Sequence, residues 1–189
     1  MKLERFTILD SSLTAIIYTA GIIGIRFLPD FFLKTSFISI LIPLSLYLFR
    51  VKPKGKDILL ILSVYSIGFF AEWIGVRFGW LFGSYKYGDS LGIKLDGVPL
   101  IIGANWLLLS LVSREVISKL LNNKILIIIL SSILMVLIDF LIEPISDNLN
   151  FWIWENNIIP YSNYLDWFLI ALLNQTLFSF LGYKKDMFH

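Results

Sequence analysis

ILIIILSSILMVLIDFLI, residues 125–142, decides the fold. These eighteen residues carry a single charge, Asp139, and a bilayer is crossed by about 20 predominantly apolar residues in a helix. Lys124 precedes the run, and Glu143 and Pro144 close it. Working outward, five more apolar segments are bounded by charges or turn residues: Ser11–Leu28, Ser36–Phe49, Ile58–Val76, Val98–Val112 (extending to Ile117) and Tyr164–Leu181. Pro43 is expected to bend or tilt the second of these. Lys2 and Arg5 precede the first, but no A-x-A-like cleavage site follows it, so it reads as a retained helix. The expected architecture is all-α: a polytopic membrane helical bundle of about six transmembrane helices with two aromatic-rich outer connections. With no linker, repeat or low-complexity stretch, residues 1–189 form a single integral-membrane domain.

Composition agrees. Of 189 residues, 57% are hydrophobic and only 16% charged, with mean hydropathy +0.79. A soluble domain carries about 25% charged residues, so a soluble globular enzyme and a disordered chain are both ruled out. There is no Cys, and the only His is His189. Thiolate chemistry, His-ligated metals, haem and a Ser-His-Asp triad therefore drop out, and neither a metal nor a cofactor is expected. A net charge of +2 without a basic, aromatic-interleaved patch gives no sign of nucleic acid.

The basic residues orient the bundle. Lys2, Arg5, Arg50, Lys52, Lys54, Lys56, Arg114, Lys119, Lys124, Lys184 and Lys185 fall on one side, and Arg26, Lys34, Arg77, Lys86 and Lys94 on the other, 11 against 5 of the 16. The positive-inside rule then puts both termini in the cytoplasm, in a multi-pass protein of the cell membrane. Lys52–Lys56 reads as a topology anchor at the headgroups.

Ionisable side chains inside spans are expensive and default to functional candidates. Glu72 lies 15 residues after Asp57 and Asp139 lies 15 after Lys124, so both sit about 22 Å above the inner ends of their helices. Glu143 is one turn further out, Asp166 starts the last span, and Asn105 enters the fourth span from outside. The polar groups thus converge on the outer half of the membrane. Tyr65, Gly68, Glu72, Gly75 and Gly79 share one helix face, where small residues admit another helix or a flat apolar ligand. Ser132, Met135, Asp139 and Glu143 share another, as do Asn163, Asp166, Ile170 and Asn174. Each carboxylate also fits a purely structural role as a cap or hydrogen-bond partner. Asp96, before Gly97 and Pro99, reads as a turn residue, and Asn105 and Asn174 fit helix–helix hydrogen bonding as well as substrate contact.

The outer connections are RFGWLFGSYKYGDSLGIKLDG (77–97) and PISDNLNFWIWENNIIPYSN (144–163). An interfacial aromatic belt accounts for any one of their tryptophans. Their density, however, suits a lid of flat apolar walls, and Trp152 and Trp154 face the same side if extended.

The ordered set Glu72-Trp73-Ile-Gly75, Gly79, Phe82-Gly83-Ser-Tyr85-Lys-Tyr87, Leu91-Gly92, Gly97-Val98-Pro99 and Trp106, followed by Asp139, Glu143-Pro144, Trp152-Ile-Trp154, Pro160, Asn163 and Trp167, resembles the integral-membrane carotenoid-biosynthesis family. That family includes the carotenoid 1,2-hydratases and bisanhydrobacterioruberin hydratase. The resemblance runs from about Tyr65 to Trp167, while the first two spans carry no recognisable motif. It implies a cofactor-independent hydro-lyase that adds water to the terminal C1=C2 bond of an acyclic carotenoid end group. Its implied partners are an acyclic or monocyclic carotenoid delivered from the bilayer, membrane lipid, and other carotenoid-pathway enzymes.

That chemistry needs a Brønsted acid for C2, a tertiary cation at C1, and a base for the incoming water. Burial in an apolar site favours the neutral form of a carboxylic acid and keeps it available as a donor. A wetter carboxylate can orient water, and aromatic faces can stabilise the cation. On this reading Asp139 and Glu72 are the acid and the water-orienting group, in either order, and Glu143 is the third carboxylate, a base or the holder of the outer loop. Trp73, Tyr85, Tyr87, Trp152 and Trp154 are expected walls, Trp106 a further substrate contact, and Asn105, Asn163 and Asp166 water-positioning groups. Two rivals stand beside it. A carotenoid or lipid binding or transport protein would need the walls but not the carboxylates. A membrane prenyltransferase would use Asp139 and Glu143 for a Mg²⁺–diphosphate, but no Lys or Arg lies near the pair in sequence.

Overall fold

The computed structural model describes residues 2–181, with side chains from residue 12 onward. Lys184, Lys185 and His189, and the side chains of Lys2, Arg5 and Ser11, lie outside the described residues. The elements run α1 (Lys2–Phe27), α2 (Pro29–Lys34), α3 (Ile38–Val51), α4 (Lys56–Phe78), β1 (Tyr85–Tyr87), β2 (Lys94–Leu95), β3 (Val98–Pro99), α5 (Ile101–Leu120), α6 (Lys124–Ile142), β4 (Trp152–Trp154) and α7 (Tyr161–Phe180). Single 3₁₀ turns lie at Glu143–Ile145 and Glu155–Asn157. The fold is an all-α membrane bundle. Among the described residues α4, α5 and the segment Lys124–Ile145 are long and apolar enough to cross a membrane, whereas Ser12–Phe27 and α3 are apolar but shorter.

Local chemistry sets the helix ends. Asn123 caps α6, its side-chain oxygen accepting from the N–H groups of Ile125 (2.9 Å) and Leu126 (3.1 Å). Gly79 ends α4 in the left-handed conformation, φ +67°, and its N–H returns to Gly75 O. The glycine face of α4 is shared: a Cβ on Gly68 would lie 2.4 Å from the Trp106 side chain of α5, whereas one on Gly75 would meet Leu81 O, Phe82 and Tyr85 of the following segment.

Helix α6 packs against α7 and α5, and α4 against α5 and α7. One apolar cluster, around Phe82, Trp106, Met135 and Trp167, lies at the end of the bundle that carries the strands. A second, around Leu60, Val64, Leu107 and Phe178, lies toward the far end. Helix α1 packs on α2 and α3, and α3 joins the bundle through α5.

Two corrections to the sequence reading concern α5. Val98 belongs to β3, and the helix starts at Ile101 and runs to Leu120. Arg114, counted above with the basic residues of a membrane face, is instead buried inside the helix. Its guanidinium donates to Gln175 O (3.1 Å), Gln175 Oε1 (3.3 Å) and Ser179 Oγ (2.9 Å) on α7.

The two connections at the strand end are folded together. β1 pairs antiparallel with β4, with Tyr85 opposite Trp154 and Tyr87 opposite Trp152. β2 and β3 form a hairpin around Asp96 (φ 49°) and Gly97 (φ 87°), the two consecutive positive φ angles of a type I′ turn. Asp96 is thus a turn residue, as its sequence context indicated.

Candidate active site

Beneath the β1–β4 ribbon lies a cavity of about 280 Å³. Glu72 of α4, Asp139 of α6 and Glu143 just beyond α6 line it, together with Asn105, Asn163, Tyr85, Tyr87, Phe151, Trp152, Trp154 and Trp167. Tyr18 of α1, Ser36 of the turn before α3, and Ser39 and Ile40 of α3 line one flank. No Lys, Arg or His is among the described residues of the lining. The three carboxylates are 4%, 2% and 4% exposed, so they share an apolar enclosure without a cation.

Each carboxylate is held differently. Glu72 Oε2 accepts from the hydroxyls of Tyr85 and Tyr87, the latter at 2.7 Å, and Oε1 accepts from Trp106 Nε1 at 3.0 Å. Burial first, and the Glu72 charge next, hold both phenols well above their ordinary value of 10.0, so they remain donors. Glu143 Oε2 accepts from Trp152 Nε1 (2.9 Å) and Trp154 Nε1 (2.7 Å), and its Oε1 from Asn163 Nδ2 (3.0 Å). The same Asn163 nitrogen reaches Asp139 Oδ2 at 3.0 Å. Asp139 Oδ1 makes no hydrogen bond among the described residues. Glu72 and Glu143 therefore each receive three donors, and Asp139 receives one that it shares.

The ribbon explains this convergence. Alternate residues of a strand face one side, so Tyr85 and Tyr87 point down together, as do Trp152 and Trp154, while Lys86 and Ile153 occupy the other face. Behind Glu72 the indoles of Trp106 and Trp167 stack at 4.0 Å with planes 19° apart. Trp167 lines the cavity, one helical turn from Asn163.

Three of the residues expected at the site stand outside the cavity lining. Trp73 turns away: its Nε1 donates to Asp96 Oδ2 at 2.7 Å, and its ring meets Phe78 edge-on, so it anchors the β2–β3 hairpin. Asp166 accepts from the Phe82 backbone N–H at 2.7 Å and pins the loop after α4. Trp106 is fully buried behind Glu72. Asp139, Glu72, Glu143, Tyr85, Tyr87, Asn105, Trp152, Trp154 and Asn163 do come together. Sequence reasoning placed Phe82 and Trp167 in the family pattern but gave neither a role at the site. Phe82 has a non-glycine φ of +64° and lies 6.4 Å, ring to ring, from each of Tyr85, Trp106 and Trp167. Its one signal was its place between Gly79 and Gly83.

The sequence model of a family described as "Carotenoid biosynthesis protein" matches residues 33–188. A curated relative, "Bisanhydrobacterioruberin hydratase" of Haloarcula japonica, is 30% identical over 199 aligned positions, which cover 94% of this chain and 65% of the relative. The chain thus spans about two thirds of that protein's length. No solved structure matches it.

Proposed function

The chain belongs to the carotenoid biosynthesis family, and from that premise and the chemistry of the cavity we propose that it is a carotenoid hydratase. It adds water across the terminal C1=C2 bond of an acyclic end group that enters from the bilayer. The observation that carries this reading is the set of three carboxylates around one apolar cavity, of which only Asp139 keeps an oxygen free of protein partners.

Hydrogen bonds donated to a carboxylate favour its charged form. Asp139, with one shared donor, is the group best suited to carry a proton, and its Oδ1 delivers it to C2. The π electrons form the new C2–H bond and leave a tertiary cation at C1. Trp167 presents a ring to that cation, a contact worth about 2 kcal/mol when desolvated. Water, held by Asn105, bonds to C1 through oxygen and gives its extra proton to Glu72, whose Oε1 accepts only from Trp106. The proton then returns to Asp139, so the cycle consumes one water and no net proton. Glu143 holds the two ribbon tryptophans and fixes Asn163.

The size of the cavity supports an end-group site. Pockets that bury a whole drug-sized ligand run from about 300 to 1,000 Å³, so about 280 Å³ takes one end of a long polyene and leaves the rest in lipid. The lack of cations in the lining argues against a diphosphate substrate.

Expression in a bacterium that accumulates lycopene tests the reading, with extracted pigments analysed by chromatography and mass. Products heavier by one or two waters are expected, and Asp139→Asn should lower their formation by at least about 100-fold while the protein stays in the membrane. Unchanged lycopene co-purifying with the protein would favour a binding protein, and full activity in both Asp139→Asn and Glu72→Gln would overturn the assignment of the carboxylates.

A further inference from the structure

Below the cavity, away from the ribbon, α5, α6 and α7 enclose a second polar layer. Ser110, Ser113, Ser131, Ser132, Asn174 and Gln175 are all 0% exposed there. Several are satisfied internally: Gln175 Nε2 donates to Ser110 O (2.9 Å), Ser132 Oγ to Ile128 O (2.8 Å) and Ser131 Oγ to Ser113 O (3.4 Å). Ser113 Oγ, Asn174 Nδ2 and Asn174 Oδ1 have no partner in the protein. Met135 caps the layer. It is also 0% exposed, and its sulfur receives Ser110 Oγ and Gln175 Nε2, both at 3.7 Å. Asp139 lies one helical turn beyond it on the same face of α6.

Buried polar groups are nearly always hydrogen-bonded, to protein or to ordered water, and inside a membrane bundle the penalty for leaving them bare is high. The unpartnered set combines an amide N–H₂ donor, an amide acceptor and a hydroxyl that can act as either. An anion would satisfy only the donors and a cation only the acceptors. Water satisfies both.

We propose that Asn174 and Ser113 hold buried water in this layer, and that this water is the store from which the site draws, with Met135 as the apolar partition between them. Asn174 lies on the α7 stripe that carries Asn163 and Trp167, about two turns from Trp167, so the layer lies beneath the cavity on the same helix face, outside the cavity lining itself. Only the assignment of this water to the reaction rests on the hydratase reading; the hydration site stands on the unpartnered groups.

Millisecond X-ray radiolysis of the purified full chain in lipid nanodiscs tests it. Radicals formed from a buried water oxidise the side chain beside it, so mass spectrometry should find Met135 converted to the sulfoxide although bulk solvent does not reach it. Ser113→Ala and Asn174→Leu should each slow that oxidation several-fold. An unlabelled Met135 in the wild type would overturn the proposal. So would equal labelling in wild type and variants, which would mean that water arrives from the cavity alone. Should Asn174→Leu unfold, labelling would rise across the whole chain, and the milder Ser113→Ala decides. Pigment hydration is assayed on the same samples: no product with a variant-sensitive Met135 sinks the hydratase reading and leaves the hydration site standing. Product with a variant-insensitive Met135 does the reverse.

Discussion

Replacing Trp167 separates a catalytic ring from a merely space-filling one. The indole lines the cavity, is 8% exposed, and is backed at 4.0 Å by Trp106, whose N–H is held by Glu72 Oε1. Trp167 lines the cavity in which the proposed cation at C1 would form. A desolvated cation over an indole gains about 2 kcal/mol, and each 1.36 kcal/mol is tenfold in rate. Trp167→Leu should therefore lower kcat roughly 30-fold through the lost π face. Trp167→Phe keeps a π face of smaller strength and should lose only about fivefold. The cation exists only once C2 has been protonated, so the lost contact should fall on kcat more than on KM. The assay is the initial rate of hydrated pigment formation in proteoliposomes at saturating lycopene, with thermal unfolding of each variant as a control. Equal losses for Leu and Phe, or a loss confined to KM, would refute the cation argument and reduce Trp167 to a wall.

Three other expectations follow from the geometry. Tyr85 and Tyr87 are neutral donors in the folded protein and titrate well above 10.0, whereas unfolded phenols ionise near 10.0; the unfolded state then loses protons first, so stability contributed by the pair is intact below pH 10 and falls as pH rises above it. Alkaline melting curves should show this loss, and Tyr85→Phe/Tyr87→Phe should flatten it. Asp166→Ala frees the Phe82 N–H and should destabilise the protein by about 1–2 kcal/mol, less than a fully buried charged bond because Asp166 is half-exposed; Asp166→Asn, which keeps an acceptor, should recover part of it in detergent unfolding. Gly68→Ala places a methyl 2.4 Å from the Trp106 side chain and should cost about 1–3 kcal/mol, with loss of hydration as Trp106 leaves Glu72; unaltered melting and activity would show that α4 and α5 do not pack as described.

The parts of this fold that were legible in the sequence are those written in local periodicity. The α6 run from Lys124 to Ile142 is a hydropathy signal, and Asp96 before Gly97 marks a turn. The common depth of Glu72 and Asp139 followed from counting residues along two helices. Tertiary pairing was not legible. β1 and β4 are three residues each and lie more than sixty residues apart, too short for a propensity signal and too distant for a turn to set their register. Trp73 adjoins Glu72 in the chain, yet one residue along a helix is a rotation of about 100°, which takes it to the hairpin instead of the cavity. Arg114 was counted with the basic residues of one membrane side because a single charge near a span end gives no hint of Gln175 and Ser179 waiting on another helix. Phe82 has a positive φ, and its N–H is held by Asp166, eighty-four residues away.

That ribbon does more than cover the cavity. Tyr85 and Tyr87 bind Glu72, Trp152 and Trp154 bind Glu143, and the register sets Tyr85 against Trp154 and Tyr87 against Trp152. Both rungs that face the cavity thus join one donor for each carboxylate, and directly opposed residues of an antiparallel pair hold their Cβ atoms about 4.5–5.5 Å apart. The Tyr85 and Trp154 rings meet at 5.1 Å, so the rung is packed as well as hydrogen-bonded. Two carboxylates borne by α4 and by the end of α6 are in this way spaced by a strand pair that belongs to neither helix. Asn163 adds the third link, holding Glu143 and Asp139 on one nitrogen. A shift of the ribbon would therefore move the Glu72 and Glu143 side chains together, while Asp139 is tied to Glu143 by the helix backbone and by Asn163. Asp139, the acid proposed above, thus accepts one shared hydrogen bond, while Glu72 and Glu143 each accept three.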